Sequence, residues 1–197
     1  MKLLVIDFGR SGNFILLHPH GNISPMDVIV RKETPDDFQQ VSRVIVMAFR
    51  RKNEAVTVDR LRHNANYRAH LSLVAEYRGN VIGHILFFPI QIRTSKARMP
   101  SLALAPLSIS PEFQKMGIGT RLVQEGLRRA RELGYTSVIV FGHPEYYAKF
   151  GFISARRWGI TAPFNVPKDT LTAIELEKDA LAHGAGMIEY PEEFLKI

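Results

Sequence analysis

The sequence contains no cysteine among its 197 residues, and it also lacks a long apolar stretch. The missing thiol excludes disulfide bonds, thiolate metal ligands and a cysteine nucleophile. No apolar run approaches the roughly 18 residues that indicate a membrane-spanning helix. The apolar run near the N-terminus ends at Asp7, which makes it too short for the core of a signal peptide. We therefore expect a cytoplasmic protein with no membrane partner.

Metal-binding patterns are also sparse. The 7 histidines form no HExxH motif or similar paired spacing. His18 and His20 lie close together in a loop rich in proline and glycine, which does not by itself make a metal site. We therefore expect no metal ion.

Acidic residues are too few to balance the basic ones, and the net charge is +7. A basic chain can bind nucleic acid, a membrane surface or an anionic small ligand. No stretch interleaves aromatic with basic residues as single-strand binders do, which disfavours nucleic acid. Positive charge is concentrated between residues 114 and 131, at Lys115, Arg121, Arg128, Arg129 and Arg131. We interpret most of it as the solvated face of a helix.

Turn-forming motifs such as HPHGN set residues 1–25 apart as an N-terminal extension, either a hairpin or a flexible arm. Residues 26–197 would form one domain. Strand and helix periodicities alternate along it, which predicts a mixed α/β class. The predicted strands are 27–31, the arms of a hairpin around Gly79-Asn80, 102–109, SVIVFG, GFISARRWGI and 172–177. The first predicted helix begins at a capping box of Thr34 and Asp37. Further helices are predicted at 58–66, at 117–133 and in PEYYAKF.

Two glycines, Gly117 and Gly119, open the most amphipathic predicted helix, directly after a strand that contains Pro106. The first turn of a helix presents N–H groups without intrahelical partners, and glycine lets a ligand approach them. The pattern favours phosphate binding, with close strand–helix packing as the alternative, but it matches neither the Walker nor the Rossmann spacing. Pro106 cannot donate to a ladder and so marks either an edge strand or a bulge.

The segment QKMGIG resembles the Q/R-x-x-G-x-G/A signature of the GNAT superfamily of N-acetyltransferases, and YYAKFGF resembles that family's tyrosine and Gly-Phe ending. The likeness covers roughly residues 28–158, and GHPEYYAKFGF and APFNVP are most similar to the YhbS-like branch. The resemblance implies the GNAT acyl-CoA N-acyltransferase fold, a central twisted mixed sheet flanked by helices with splayed fourth and fifth strands. It also implies acetyl-CoA as co-substrate.

The resemblance assigns the cofactor to particular backbone groups. The fourth strand would pair with the pantetheine arm, and the following loop would hold the pyrophosphate. The residues implied are Leu107, Ser108, Ile109, Gln114, Lys115, Met116, Gly117, Ile118, Gly119 and Thr120. His143 would contact pantetheine or the acceptor, or would instead cap the short helix.

Tyr147 stands four residues before Gly151, where the family usually has its general-acid tyrosine. The alternatives are that Tyr146 fills this role or that the tyrosine pair only packs. The base candidates are Glu76 and His84, with a water chain as a third possibility. Because no thiol is present, direct attack by a primary amine in a ternary complex is preferred to an acyl-enzyme.

Two further questions concern activity and assembly. The acceptor would be a small molecule or a protein amino group, and the alternative function is a non-catalytic acyl-CoA binding or sensing domain. The C-terminal segment GMIEYPEEFLKI would either cover the sheet or reach a second copy in a homodimer.

Overall fold

The computed structural model describes residues 27–167 and 169–195, so the predicted N-terminal extension, with His18 and His20, lies outside the described residues. Within those ranges nine strands form one sheet. The strands are β1 (Ile29–Lys32), β2 (Ser72–Tyr77), β3 (Asn80–Thr94), β4 (Arg98–Ile109), β5 (Ser137–Phe141), β6 (Ile153–Ser154), β7 (Ile160–Thr161), β8 (Leu171–Glu175) and β9 (Gly186–Glu189). The helices are α1 (Phe38–Phe49), α2 (Asn53–Arg62), α3 (Ile118–Glu132), α4 (Pro144–Ala148) and α5 (Glu192–Leu195).

The sheet runs in the order β1-β2-β3-β4-β5-β8-β6 and is mixed. Strands β4 and β5 are parallel, whereas the other neighbours in this order are antiparallel. Apolar side chains pack on both faces, with α3 on one and α1 and α2 on the other. The predicted mixed α/β fold is confirmed. In the described residues, no helix is long and apolar enough to cross a membrane.

The C-terminal segment becomes part of the sheet. Strand β9 pairs with the distal half of β3, where Ile92 opposes Ile188, and β7 adds to it in parallel. In α5, Phe194 is buried and its ring lies 5.9 Å from that of Phe88. Of the two interpretations of this segment, covering the sheet matches the structure.

The hairpin between β2 and β3 turns one residue earlier than the sequence predicts. Tyr77 pairs with Asn80, so the two turn residues are Arg78 and Gly79. Both have positive φ, 48° and 76°, as a type I′ turn requires. The predicted hairpin is otherwise confirmed.

Pro106 marks a bulge in β4, just beyond the last residue that pairs with β5. Ile85 pairs with Leu107 and Phe87 pairs with Leu104, which leaves two residues of β4 opposite Leu86. The Ala105–Pro106 peptide is cis. Beyond Leu104, β4 is no longer paired with β5.

Helix α3 buries its apolar face against β3. Gly126 has a structural role there, because a Cβ at this position would stand 2.0 Å from Phe87 Cε2. Gly134, with φ of 77°, terminates the helix as predicted. Leu133, the last residue of the predicted helix 117–133, follows the last helical residue and is 48% exposed.

Several predicted bounds differ from the structure, and β4 begins at Arg98, four residues before the predicted residue 102. Helix α2 begins at Asn53 and ends at Arg62, earlier than the predicted 58–66, because its buried face against α1 already includes Ala55. The single strand predicted for GFISARRWGI is two short strands, β6 and β7. A 3₁₀ turn at Ala155–Trp158 separates them and ends at Gly159, whose φ is 69°.

Candidate active site

A cleft opens where β4 and β5 separate. Their pairing ends at Leu104 and Val140, so the last residues of β4 have no strand on that side. The cleft has a volume of about 390 Å³ and is bounded by β4, the loop before α3, α4 and the end of α1. Its lining residues are Ala48, Phe49, Leu107, Ser108, Ile109, Phe113, Gln114, Lys115, Gly117, Ile118, Gly119, Thr120, Tyr146 and Lys149.

The structure thus brings together nearly all of the predicted cofactor residues. The exceptions are Met116, which packs against the apolar core, and His143. His143 precedes α4, and its carbonyl oxygen accepts hydrogen bonds from the N–H groups of Tyr146 and Tyr147. His143 therefore stands at the N-cap of α4 and accepts these hydrogen bonds through its backbone.

The loop before α3 turns its backbone towards the cleft. Gln114 Nε2 donates to the Ile109 carbonyl at 3.1 Å, which fixes the loop to the end of β4. Lys115 and Gly117 both have positive φ, 64° and 81°. The first hydrogen bond within the helix runs from Arg121 N–H to the carbonyl oxygen of Gly117. The N–H groups of the first turn that precede Arg121 are therefore available to an anion.

Gly119 leaves space that a side chain would fill. A Cβ there would stand 2.7 Å from Tyr146 Oη and 3.8 Å from Leu107 Cδ2, both on cleft residues. At Gly117 a Cβ would meet nothing within 4 Å, but the left-handed φ would strain any L-residue. The two glycines therefore serve different needs, close approach at Gly119 and backbone direction at Gly117.

Lys149 is a cleft residue that the sequence analysis missed. Its Nζ donates to Thr120 Oγ1 at 3.0 Å and lies 4.2 Å from the centroid of the Tyr146 ring. The sequence analysis missed it because a single lysine at the end of a short helix belongs to no repeating pattern. Phe49 and Phe113 were also missed as cleft residues, since each reads as ordinary core in the sequence.

The expected surface role of the arginines on α3 is confirmed for Arg128 and Arg131, which are exposed, whereas Arg129 is partly buried. Arg128 bonds Glu125 and also forms an ion pair with Glu132, while Arg129 Nε lies 2.7 Å from Glu125. Arg128 is exposed and lies on the solvent side. Within the described residues, the cationic side chains that line the cleft are Lys115 and Lys149.

The two tyrosines of α4 differ sharply in environment. Tyr146 lines the cleft, whereas Tyr147 is fully buried behind it, with the ring centroids 5.1 Å apart and edge-on. Tyr147 packs against Gly142, directly after β5, where a Cβ would stand 3.0 Å from the ring. Its hydroxyl has no hydrogen-bond partner within the described residues, and burial raises the pKa of this phenol well above its ordinary value.

Neither predicted base lies in the cleft. Glu76 accepts a hydrogen bond from Arg31 Nε at 2.7 Å, in an ion-pair cluster that also includes Asp37. His84 is fully buried in β3, and its Nε2 lies 3.0 Å from Ser72 Oγ. The structure therefore does not bring Glu76 or His84 to the site where a cleft-bound amine would react.

His84 instead belongs to a buried polar cluster. Ser72 Oγ donates to Glu33 Oε2 at 2.7 Å, and Glu33 also forms an ion pair with Arg62. Burial lowers the pKa of His84 to about 4, although Glu33 opposes that shift. Since the Ser72 proton is used on Glu33, Nε2 of a neutral His84 donates to Ser72. This cluster ties β3 to α2 and has a structural role.

Comparison with known proteins identifies the family. The sequence profile of the acetyltransferase (GNAT) family matches residues 38–152, more than half of the chain. YjhQ, an uncharacterized N-acetyltransferase of Escherichia coli K12, is 36% identical over 134 residues, which cover 68% of this chain and 74% of that protein. The chain belongs to the GNAT acetyltransferase family.

This GNAT protein also resembles YhbS of Escherichia coli K12, an uncharacterized N-acetyltransferase, with 29% identity over 168 residues, 85% of this chain and 98% of that protein. The crystal structure of Escherichia coli YhbS in complex with CoA superimposes with a TM-score of 0.80 at 28% identity, covering 86% and 93% of the two chains. A GNAT acetyltransferase from Brucella melitensis in complex with acetyl-CoA gives 0.69 at 31% identity, covering 85% and 97%. The YhbS-like resemblance and the prediction of an acyltransferase are confirmed.

Among the described residues, no group of three or more histidine, aspartate and glutamate side chains is placed to hold a metal ion.

Proposed function

We propose that this GNAT enzyme transfers the acetyl group of acetyl-CoA to a primary amine by direct attack within a ternary complex. The observation that carries the proposal is the cleft beside the end of β4, where the strand has lost its pairing with β5 and leads to the N–H groups at the start of α3. The backbone amides at the end of β4 suit pairing with pantetheine. The turn before α3 suits binding of the pyrophosphate. The complexes of the two structural relatives with CoA and acetyl-CoA support this assignment.

The cofactor would be held mainly by backbone. Leu107, Ser108 and Ile109 would pair with the pantetheine amides, and the turn that includes Gly117 and Gly119 would bind the pyrophosphate oxygens. The glycine cradle fits such a ligand, because a Cβ at Gly119 would crowd the cleft. Lys115 and Lys149 add positive charge at the same end. Acetyl-CoA supplies an acetyl group that is activated as a thioester.

Tyr147 is our proposed proton donor. A buried hydroxyl without a partner costs roughly 1–3 kcal/mol, so a group of the bound cofactor that reached Oη would relieve that cost. The phenol carries its proton near neutral pH, so Oη has a proton to give to the departing thiolate. Tyr146, which lines the cleft, would act by positioning the cofactor.

Water is our proposed acceptor of the amine proton. The cleft lining contains no aspartate, glutamate or histidine among the described residues. An amine that enters deprotonated and releases its proton through solvent needs no side-chain base. We therefore expect the rate to rise with pH until the acceptor amine is largely neutral.

The deciding experiment is a thermal shift with acetyl-CoA followed by an acceptor screen. Polyamines, amino sugars, amino acids and peptides would be tested by thiol detection of released CoA, to which the cysteine-free protein contributes no background. Stabilisation together with CoA release supports the transferase. Stabilisation without release from any acceptor would favour the non-catalytic binding domain, and no stabilisation at millimolar acetyl-CoA would refute both.

A further inference from the structure

A second cavity adjoins the cleft on the other side of Phe113. It has a volume of about 360 Å³ and lies between α1, the turn from β2 to β3, and the segment after β4. Phe113 lines both cavities, and the chain neighbours Met47–Ala48 and Ile109–Ser110 are divided between them. The two spaces are therefore adjacent along α1, and we call the second one the α1 cavity.

The α1 cavity has both apolar and polar lining residues. Hydrogen-bond donors come from Arg43, Arg78 and Gln40. Gln40 Oε1 accepts the N–H of Val81 at 3.0 Å, which ties α1 to the hairpin and leaves the amide NH₂ group as a donor. The Arg78 guanidinium lies 5.1 Å from the centroid of the Tyr77 ring, an arrangement that orients it.

The two arginines lack carboxylate partners in the part of the chain that the structure describes, unlike Arg31, Arg62 and Arg128. The acidic lining residue among those described is Glu112, which like Arg43 and Arg78 is exposed. Guanidinium groups without a counter-ion, placed beside an amide donor in a concave site, supply the charge and the donors for phosphate or carboxylate recognition.

We propose that the α1 cavity binds an anionic group of the acceptor, a phosphate or a carboxylate, while the amine of the same molecule reaches the cleft. Arg43 and Phe49 are separated by roughly 9 Å along α1, at 1.5 Å per helical residue. The acceptor class is then an amine that also carries an anionic group, joined by enough chain to reach from the α1 cavity into the cleft. The assignment of the anion to the acceptor rests on the proposed function, whereas the anion site itself does not.

The site is tested without turnover. Isotope-labelled protein saturated with CoA is titrated with inorganic phosphate while the Nε–Hε NMR signals of arginine are followed. The signals of Arg43 and Arg78 shift together, and Arg43→Gln or Arg78→Gln weakens phosphate binding at least fivefold. Arg60→Gln, which removes the same charge from an exposed position on α2, leaves it unchanged. Equal phosphate affinity in all four proteins would overturn the site.

The source of the anion is tested by kinetics with the best acceptor from the screen. Arg43→Gln raises the KM of the acceptor at least fivefold and keeps the KM of acetyl-CoA within twofold. A raised KM for acetyl-CoA would instead place the 3′-phosphate of the cofactor in the cavity and overturn the proposal. If no acceptor is acetylated, the proposed function and the acceptor assignment fail together, but the phosphate titration still decides the anion site.

Discussion

Individual residues in this protein derive their roles from burial more than from chemical type. Tyr146 and Tyr147 are neighbours with the same side chain, yet one faces the cleft and the other is sealed behind it. His84 and Glu76 are both capable of accepting a proton, but each is held in a polar cluster elsewhere. Reactivity therefore has to be assigned from position.

The tyrosine pair gives a test of that assignment. We expect Tyr147→Phe to lower kcat at least a hundredfold, since a lost general acid commonly costs 10²–10⁴. The KM of acetyl-CoA should change less than twofold, because phenylalanine preserves the packing against Gly142. Tyr146→Phe is the matched control and should chiefly raise the KM of acetyl-CoA. The reverse pattern in steady-state kinetics would assign the role of proton donor to Tyr146.

Lys149 gives a second prediction at this scale. Lys149→Met keeps much of the aliphatic contact with the Tyr146 ring but removes the charge near Thr120. We expect the affinity for acetyl-CoA to fall roughly tenfold, because a charge-assisted contact contributes about 1.5 kcal/mol or more. Calorimetry would measure it, with Lys96→Met on an exposed turn as the control. Equal losses in both variants would indicate a general charge effect and exclude a specific role.

At the scale of elements, the site depends on how α3 and β4 are fixed. The bulge at Pro106 and the loss of pairing after Leu104 free the end of β4 for a ligand. Helix α3 presents its first turn to that edge because its middle is anchored by close contact with β3. Gly126 makes this contact possible, since the Phe87 ring occupies the place of its missing side chain.

Gly126→Ala should therefore destabilise the protein although alanine is the better helix former. The propensity gain is about 1 kcal/mol, while forcing a methyl group into a packed core usually costs about 1–3 kcal/mol. At 2.0 Å from Phe87 Cε2, the new Cβ belongs at the upper end of that range. Urea unfolding would measure it, with Gln124→Ala on the exposed face as the control. Adding Phe87→Leu should recover part of the loss, and a stabilised single variant would contradict this account.

For the whole molecule, buried polar groups make stability depend on pH. Burial lowers the pKa of His84 from 6.5 to about 4, so the unfolded chain takes up a proton first as pH falls. The contribution of the neutral imidazole is full above pH 6.5 and is lost as pH approaches 4. A shift of this size corresponds to roughly 3 kcal/mol.

The free energy of unfolding should accordingly fall between pH 6.5 and pH 4 more steeply in the wild type than in His84→Gln. Glutamine cannot titrate in this range but can still donate to Ser72. Urea unfolding at intervals across this range would give both slopes, and His70→Gln, at an exposed position, serves as the control. Parallel slopes in the wild type and His84→Gln would show that His84 does not contribute.

The elements were largely predictable because their signals are local. The capping box at Thr34, the hairpin and the amphipathic α3 each occupy a short stretch with one dominant period. The predicted bounds were wrong where packing overrides the local hydrophobic period, as at the start of α2. They were also wrong where a 3₁₀ turn interrupts a β-rich stretch before Gly159.

The sequence by itself determined the family, the glycine turn before α3 and the position of the strand break, because glycine, proline and capping residues act on the backbone where they stand. Only the tertiary structure decided which side chains face the cleft. It added Lys149 and Phe49, separated Tyr146 from Tyr147, and moved Glu76 and His84 away from the chemistry. The reason is physical: burial, ion pairing and the meeting of distant elements depend on contacts across the fold, which local periodicity does not encode.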